Sequence, residues 1–255
     1  MNIIACVKTV KSELVFQNLA EHDPYTINPY DLMVLQKLAK LKETGDHTLS
    51  SLSMGPESTR DSLVRCLVMG VDEAYWLLDR AFAGSDTVAT TYILAEGIRK
   101  IGNFDLIVCG AKAVDGETGQ VVLGLAKRLN IPCIIDVEEI IEQTADYIVL
   151  QVDNRDHSVI IKVKLPAIIA FKGFTTVSDK ISLLGLKKAN RKPLNIYKLE
   201  DLQVRKELCG LDGSKTKVMS IVSNLNKKDG CTIEGSNREK AEKINSIIQT
   251  AKGGE

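Results

Sequence analysis

Phe104-Asp-Leu-Ile-Val-Cys109 runs directly into Gly110-Ala-Lys-Ala-Val-Asp-Gly-Glu-Thr-Gly-Gln120, after which Val121, Val122, Leu125, Ala126 and Leu129 recur at helical spacing. The first run is continuously apolar at its centre and does not alternate, which marks a strand buried on both faces, as in a parallel sheet. A strand that empties into a glycine-bearing turn and then a helix is half of a βαβ unit. The helix is expected over Thr118–Leu129.

The same alternation extends outward in both directions. Upstream, strands are expected at Asn2–Val7, His47–Ser53 and Ala74–Leu78, and helices at Asn28–Glu43, Ser58–Met69 and Asp86–Ile101. Asn28 is a good N-cap and Pro29 suits the first helical position, where its missing N–H costs nothing. Ser85 is read as the cap of the third helix. Downstream, Pro132–Val137 is a further strand, and Ala167–Phe171 returns to the main sheet. Between them Ile140–Ile141, Tyr147–Val152 and Ser158–Val163 read as short antiparallel strands. The expected fold is α/β, a doubly wound, mostly parallel sheet with an antiparallel insertion and a C-terminal arm. Residues 1–190 are expected to form the α/β domain, with the insertion at about 137–165. Residues 191–255 are expected to form the arm, which carries a strand-like run at 218–222 and a terminal helix. That helix opens on a capping box, Ser236 with Glu239, and lines up Ala241, Ile244, Ile247 and Ile248.

Ligands of open parallel sheets bind beyond the carboxyl ends of the strands, so 110–120 is the first candidate site. Gly116 and Gly119 permit close backbone approach, Thr118 supplies a hydroxyl, and a helix start offers N–H groups to a phosphate. The segment matches neither G-x-G-x-x-G nor a Walker A loop. Asp115 and Glu117 disfavour a bare phosphate unless their side chains turn away. Cys6, Met54 and the Asn28–Asp31 turn converge on the same edge, although each has a plainer reading as core or cap.

The 33 basic and 33 acidic residues balance, so no field steers the whole chain toward nucleic acid. The cluster Lys187, Lys188, Arg191 and Lys192 has no interleaved aromatic residue, which also argues against nucleic acid. Asn2–Val10 is broken by Lys8 and does not read as a signal peptide, and Leu165–Phe171 is too short for a membrane helix. A cytoplasmic protein without a membrane span is expected. The six cysteines form no C-x-x-C pair, so no metal site is expected. No catalytic grouping of side chains is evident, which suits a protein whose cofactor carries the chemistry.

Several ordered motifs then coincide with one family. Ile3–Val10, Asn28-Pro29-Tyr30-Asp31, Ser53-Met54-Gly55-Pro56, Val68–Ala74, Asp79–Thr87, Asp105–Val121, Leu165-Pro166-Ala167 and Leu186–Lys192 together resemble the beta subunit of electron-transfer flavoproteins, almost end to end. The resemblance implies an electron carrier working with a larger alpha subunit. It implies an adenine nucleotide at the carboxyl edge, held by Cys6, Asn28, Pro29, Tyr30, Asp31, Met54 and Ala113, Val114, Asp115, Gly116, Glu117, Thr118, Gly119, Gln120 and Val121. In that family the nucleotide is AMP in housekeeping members and a second FAD, reduced by NADH, in bifurcating ones. The short loop at 115–121 is more similar to the FAD type, so FAD is favoured over AMP. The resemblance further implies that Leu183, with Lys187 and Lys188, docks a flavin-dependent dehydrogenase, and that the tail packs on the larger subunit. A nucleotide-binding regulatory module without a redox role is the rival reading.

Overall fold

A computed structural model describes residues 1–16, 23–154, 156–177, 183–217, 219–220 and 232–252. The chain divides into two compact units, Met1–Lys217 and Val218–Glu255.

The first unit begins with β1 (Asn2–Cys6), a small antiparallel pair β2 (Thr9–Lys11) and β3 (Tyr25–Ile27), and α1 (Pro29–Lys42). It continues through β4 (Thr48–Met54), α2 (Arg60–Val68), β5 (Glu73–Leu77), α3 (Thr87–Ile101), β6 (Leu106–Gly110) and α4 (Val121–Leu129). Then come β7 (Cys133–Gln143), β8 (Tyr147–Asp153), β9 (Ser158–Lys164), β10 (Ala167–Phe171), α5 (Leu183–Ala189), β11 (Asn195–Tyr197) and the short α6 (Gly210–Gly213). The main sheet has the order β11-β5-β4-β1-β6-β10-β7-β8-β9. Pairings from β11 through β7 are parallel, whereas β7–β8 and β8–β9 are antiparallel. The doubly wound sheet with an antiparallel extension is therefore present.

Alternate residues of each strand feed opposite layers. Ile3, Ala5, Leu106 and Val108 meet Leu32, Leu35, Leu38, Leu63 and Leu67 of α1 and α2. Ile4, Cys6, Ile107 and Cys109 meet Ile93, Ile98, Val122 and Leu125 of α3 and α4. This two-sided cover explains why the strands are continuous apolar runs. From β1 the chain winds toward β4 and β5 and then returns to the far side of β1 as β6. The reversal between β1 and β6 sets a topological switch point, and the crevice outside the carboxyl ends there is the usual ligand position in such sheets.

Several expectations are corrected. α4 begins at Val121, so Thr118 lies in a longer connecting loop. Asp86, and not Ser85, caps α3: its Oδ1 accepts from the Val88 and Ala89 N–H groups at 2.9 and 3.0 Å. Ser85 instead donates to the Phe82 carbonyl. β7 is one strand of 11 residues, taking in Ile140–Ile141, with Asp136 at φ 56. The β2–β3 pair and β11 add three short strands to those expected. Because β11 pairs with β5, residues just past 190 belong to the sheet, and the first unit extends to Lys217.

Of the second unit, α7 (Asn237–Lys252) is described. Its capping box forms as expected, the Ser236 N–H donating to Glu239 Oε2 at 2.7 Å. The run expected at 218–222 lies largely outside the described residues.

Candidate functional site at the carboxyl edge of the sheet

At the β1/β6 reversal the strand ends part, and their N–H and C=O groups lose the sheet partners they would otherwise have. The first turn of α1 supplies replacements. Asp31 is buried, and its Oδ2 accepts from the Lys8 N–H at 2.8 Å while its Oδ1 accepts from the Gly110 N–H at 3.2 Å. Asn28, 1% exposed, stands at the N-cap position of α1 but makes no side-chain cap. Its Nδ2 donates to the Lys112 carbonyl at 2.9 Å and its Oδ1 accepts from the Val114 N–H at 3.2 Å. These buried side chains thus hold the start of the 110–120 loop. Tyr30 packs against Phe174 with ring centroids 5.4 Å apart, and Lys112 lies over its ring.

Burial raises the Asp31 carboxyl from 3.8 to about 7, against the lowering pull of the Lys8 N–H, the Asn28 side chain, the Gly110 N–H and the Lys8 charge. Contact with Cys6 and burial push the Cys109 thiol up, and burial pushes Cys66 to about 12, so both thiols are neutral.

The close fit at Gly110 follows from the same bonds. A Cβ there would lie 2.5 Å from Asp31 Oδ1, 2.6 Å from Tyr30 Cβ and 2.9 Å from the Tyr30 carbonyl carbon. At Gly116, by contrast, a Cβ would meet nothing within 4 Å, and the backbone there faces open space. Between them the Glu117 N–H closes a turn onto the Ala113 carbonyl at 2.8 Å, with Glu117 at φ 51 and Gly119 at φ 61.

The loop carboxylates have turned to cations. Lys8 Nζ lies 2.7 Å from Asp115 Oδ1, and Lys112 Nζ lies 3.1 Å from Glu117 Oε1. Such half-exposed pairs contribute little to stability, but they remove the charge that would repel a phosphate. Cys6 and Met54 contribute sulfur-bearing side chains to the α3–α4 layer. Thr87, at the start of α3, lies 3.4 Å from Thr118 through their hydroxyl oxygens. Polarisable side chains below, backbone groups around an open glycine and neutralised carboxylates fit an adenine nucleotide in kind. No group of side chains that could hold a metal ion occurs among the described residues.

Not every candidate residue lies at this edge. α5, which opens at Leu183, packs through Leu186 and Ala189 in the α1–α2 layer, and its Lys187 and Lys188 are exposed. A hollow of ≈ 510 Å³ opens between the β2–β3 pair, α1 and α2, lined by Thr26, Pro29, Arg65 and Met69 among others; its described lining includes no residue of 110–121. Sequence reading missed Lys8 and Lys112 as partners of the loop carboxylates. The spacing of Lys8 and Asp115 along the chain carries no local signal for their pairing.

Comparison with known proteins follows the same outline. Residues 17–201 match the model of the electron transfer flavoprotein domain. The caffeyl-CoA reductase-Etf complex subunit CarD of Acetobacterium woodii is 34% identical over 249 residues, 92% of this chain and 93% of the relative. The electron transfer flavoprotein subunit beta of Thermoanaerobacterium thermosaccharolyticum is 33% identical, with 96% of each chain covered. Protein FixA of Azorhizobium caulinodans is 33% identical over 87% of this chain and 84% of its own length.

Proposed function

The chain belongs to the electron transfer flavoprotein family as a beta-type, electron-transfer subunit, and we propose on that footing that its carboxyl-edge crevice holds FAD. The observation that carries the reading is the pairing of Asp115 with Lys8 and of Glu117 with Lys112, which leaves the open backbone at Gly116 fit for a pyrophosphate. Bound FAD supplies the redox chemistry. Cys6 and Met54 form a polarisable seat for the adenine. Ala113 to Val121 wrap the phosphates with backbone groups, and Asn28 and Asp31, with Pro29 and Tyr30 in the same turn, fix that loop.

The larger alpha subunit is the permanent partner in this reading. The second unit reaches it through α7, whose Ile244, Ile247 and Ile248 stand 48, 46 and 45% exposed. Electrons enter from a donor such as NADH and leave to a partner dehydrogenase that docks at Leu183, Lys187 and Lys188, the lysines speeding encounter with an acidic surface. The proposed setting is the cytoplasm; no helix among the described residues is long and apolar enough to cross a membrane.

The test is a fluorescence titration of the full chain with FAD, repeated on Gly116→Val. Saturable quenching that weakens at least tenfold in the variant supports the site. Equal affinity in both proteins places any flavin elsewhere.

A further inference from the structure

The first turn of α1 carries one more consequence. Asp31 is the third residue of that helix, where a carboxylate ordinarily serves its own helix end. Here it serves two strand ends instead, accepting from Lys8 beyond β1 and from Gly110 at the tip of β6. Those strands flank the topological reversal, and the helices that follow them leave on opposite faces of the sheet. One buried side chain therefore bridges the two halves of the fold at the point where the loop departs. Asn28, one helical turn earlier, grips that loop at Lys112 and Val114.

We propose that Asp31 is a positioning residue that acts as a protonation-dependent clasp: ionised, it holds the ends of β1 and β6 together and presents the 110–120 loop to the nucleotide, and protonated, it slackens that loop. The inference rests on the reading of the crevice as a nucleotide site. The chemistry is that of donors and acceptors. A carboxylate offers lone pairs to both N–H groups. A carboxylic acid keeps one full acceptor, and its hydroxyl oxygen is a poorer acceptor for the other N–H, so one of the two bonds is weakened. The Lys8 or Gly110 N–H whose bond weakens must find another partner, and the strand end shifts with it.

The charged and titratable groups around Asp31 are few. Lys8 is the cation whose charge lowers the Asp31 carboxyl, and it is itself paired with Asp115. From the loop, Lys112 and Glu117 pair with each other, and Tyr30 sits beside them. From α2 and β6, Cys66 and Cys109 feel the Asp31 charge and are held as neutral thiols. His47 packs with the N-terminus and Gln143 at the amino ends of the strands, and His157 sits in the β8–β9 turn. Among the described residues at this crevice, Asp31, with its carboxyl raised to about 7, is thus the group that changes charge near neutrality.

The test is a pH titration of the full chain by NMR, following the Asp31 side-chain carbon, assigned through its own backbone amide, together with the Lys8 and Gly110 amides. The proposal expects all three signals to move with one midpoint near neutrality. FAD is the binding probe, because its pyrophosphate does not titrate between pH 6 and 8. If only the ionised clasp binds, FAD affinity rises about tenfold from pH 6 to pH 8, and Asp31→Asn binds weakly with a flat profile. An Asp31 midpoint in the ordinary carboxylate range, or amides that do not follow it, overturns the clasp. A common midpoint with no FAD binding at any pH leaves the clasp standing and sinks the nucleotide reading instead. The wild-type titration does not depend on whether Asp31→Asn folds.

Discussion

Replacing Gly110 with alanine puts the architecture of the crevice to a quantitative test. The added methyl would lie 2.5 Å from Asp31 Oδ1 and 2.6 and 2.9 Å from two Tyr30 atoms, one of them backbone. None of these atoms is the loose end of a flexible side chain. Tyr30 lies in the first turn of α1, and Asp31 is tethered to the Lys8 N–H at 2.8 Å. The tip of β6 and the start of α1 must therefore separate. Overpacking of this kind costs about 1–3 kcal/mol, and the Gly110–Asp31 hydrogen bond lost in the process adds about 1.5–3 kcal/mol, as for a bond to a charged group. A total of about 2.5–6 kcal/mol lowers Tm by roughly 5–24 °C for a domain of this size. Thermal unfolding followed by circular dichroism measures it. Gly116→Ala is the matched control, because its methyl meets nothing within 4 Å, and its stability should change by less than about 0.5 kcal/mol. Equal melting of Gly110→Ala and wild type would refute the claim that β6 and α1 are locked at this point.

Further outcomes follow from the same geometry. Asn28→Ala removes one partner each from the Lys112 carbonyl and the Val114 N–H and should cost roughly 2–4 kcal/mol by urea unfolding, with loss of bound nucleotide on gel filtration. Asp31, raised from 3.8 to about 7, keeps its proton in the folded chain where the unfolded chain has lost it. Its contribution is therefore full below about pH 4 and is lost as pH climbs to about 7, by roughly 4 kcal/mol at most; comparison of wild type with Asp31→Asn across that window should show the slope only in the wild type. Asp86→Ala removes the α3 cap and the acceptor of the Lys215 and Thr216 N–H groups, costing about 2 kcal/mol in the same assay. Leu183→Ala should slow electron transfer to the partner dehydrogenase while leaving nucleotide content intact; loss of nucleotide with unchanged turnover would be the contrary result.

The sheet was legible because its strands are buried on both faces, so that Asn2–Cys6, Leu106–Gly110 and Ala167–Phe171 stand out as unbroken apolar runs. Strands of three residues, such as Thr9–Lys11 and Asn195–Tyr197, are too short to show a period and went unseen. Thr118 and Gln120 suit a helix start as well as a loop by type, so the sequence alone places the start of Val121–Leu129 three residues too early. Asp86 and Ser85 are both good caps by type, and only the backbone geometry chooses between them. At the site, the glycines and the converging strand ends could be read directly. The roles of Asn28 and Asp31 could not, since a side chain that spans from residue 28 to 114 or from 31 to 110 leaves no local pattern.

The most direct test of the account is to purify the chain with its larger subunit, denature the complex and count the nucleotides released by chromatography and absorbance. The account predicts two FAD per heterodimer, one of which disappears when Asn28→Ala is purified in the same way. One FAD with one AMP would keep the crevice but replace its ligand. A single nucleotide per heterodimer, unchanged by Asn28→Ala, would contradict the assignment of the crevice as a nucleotide site.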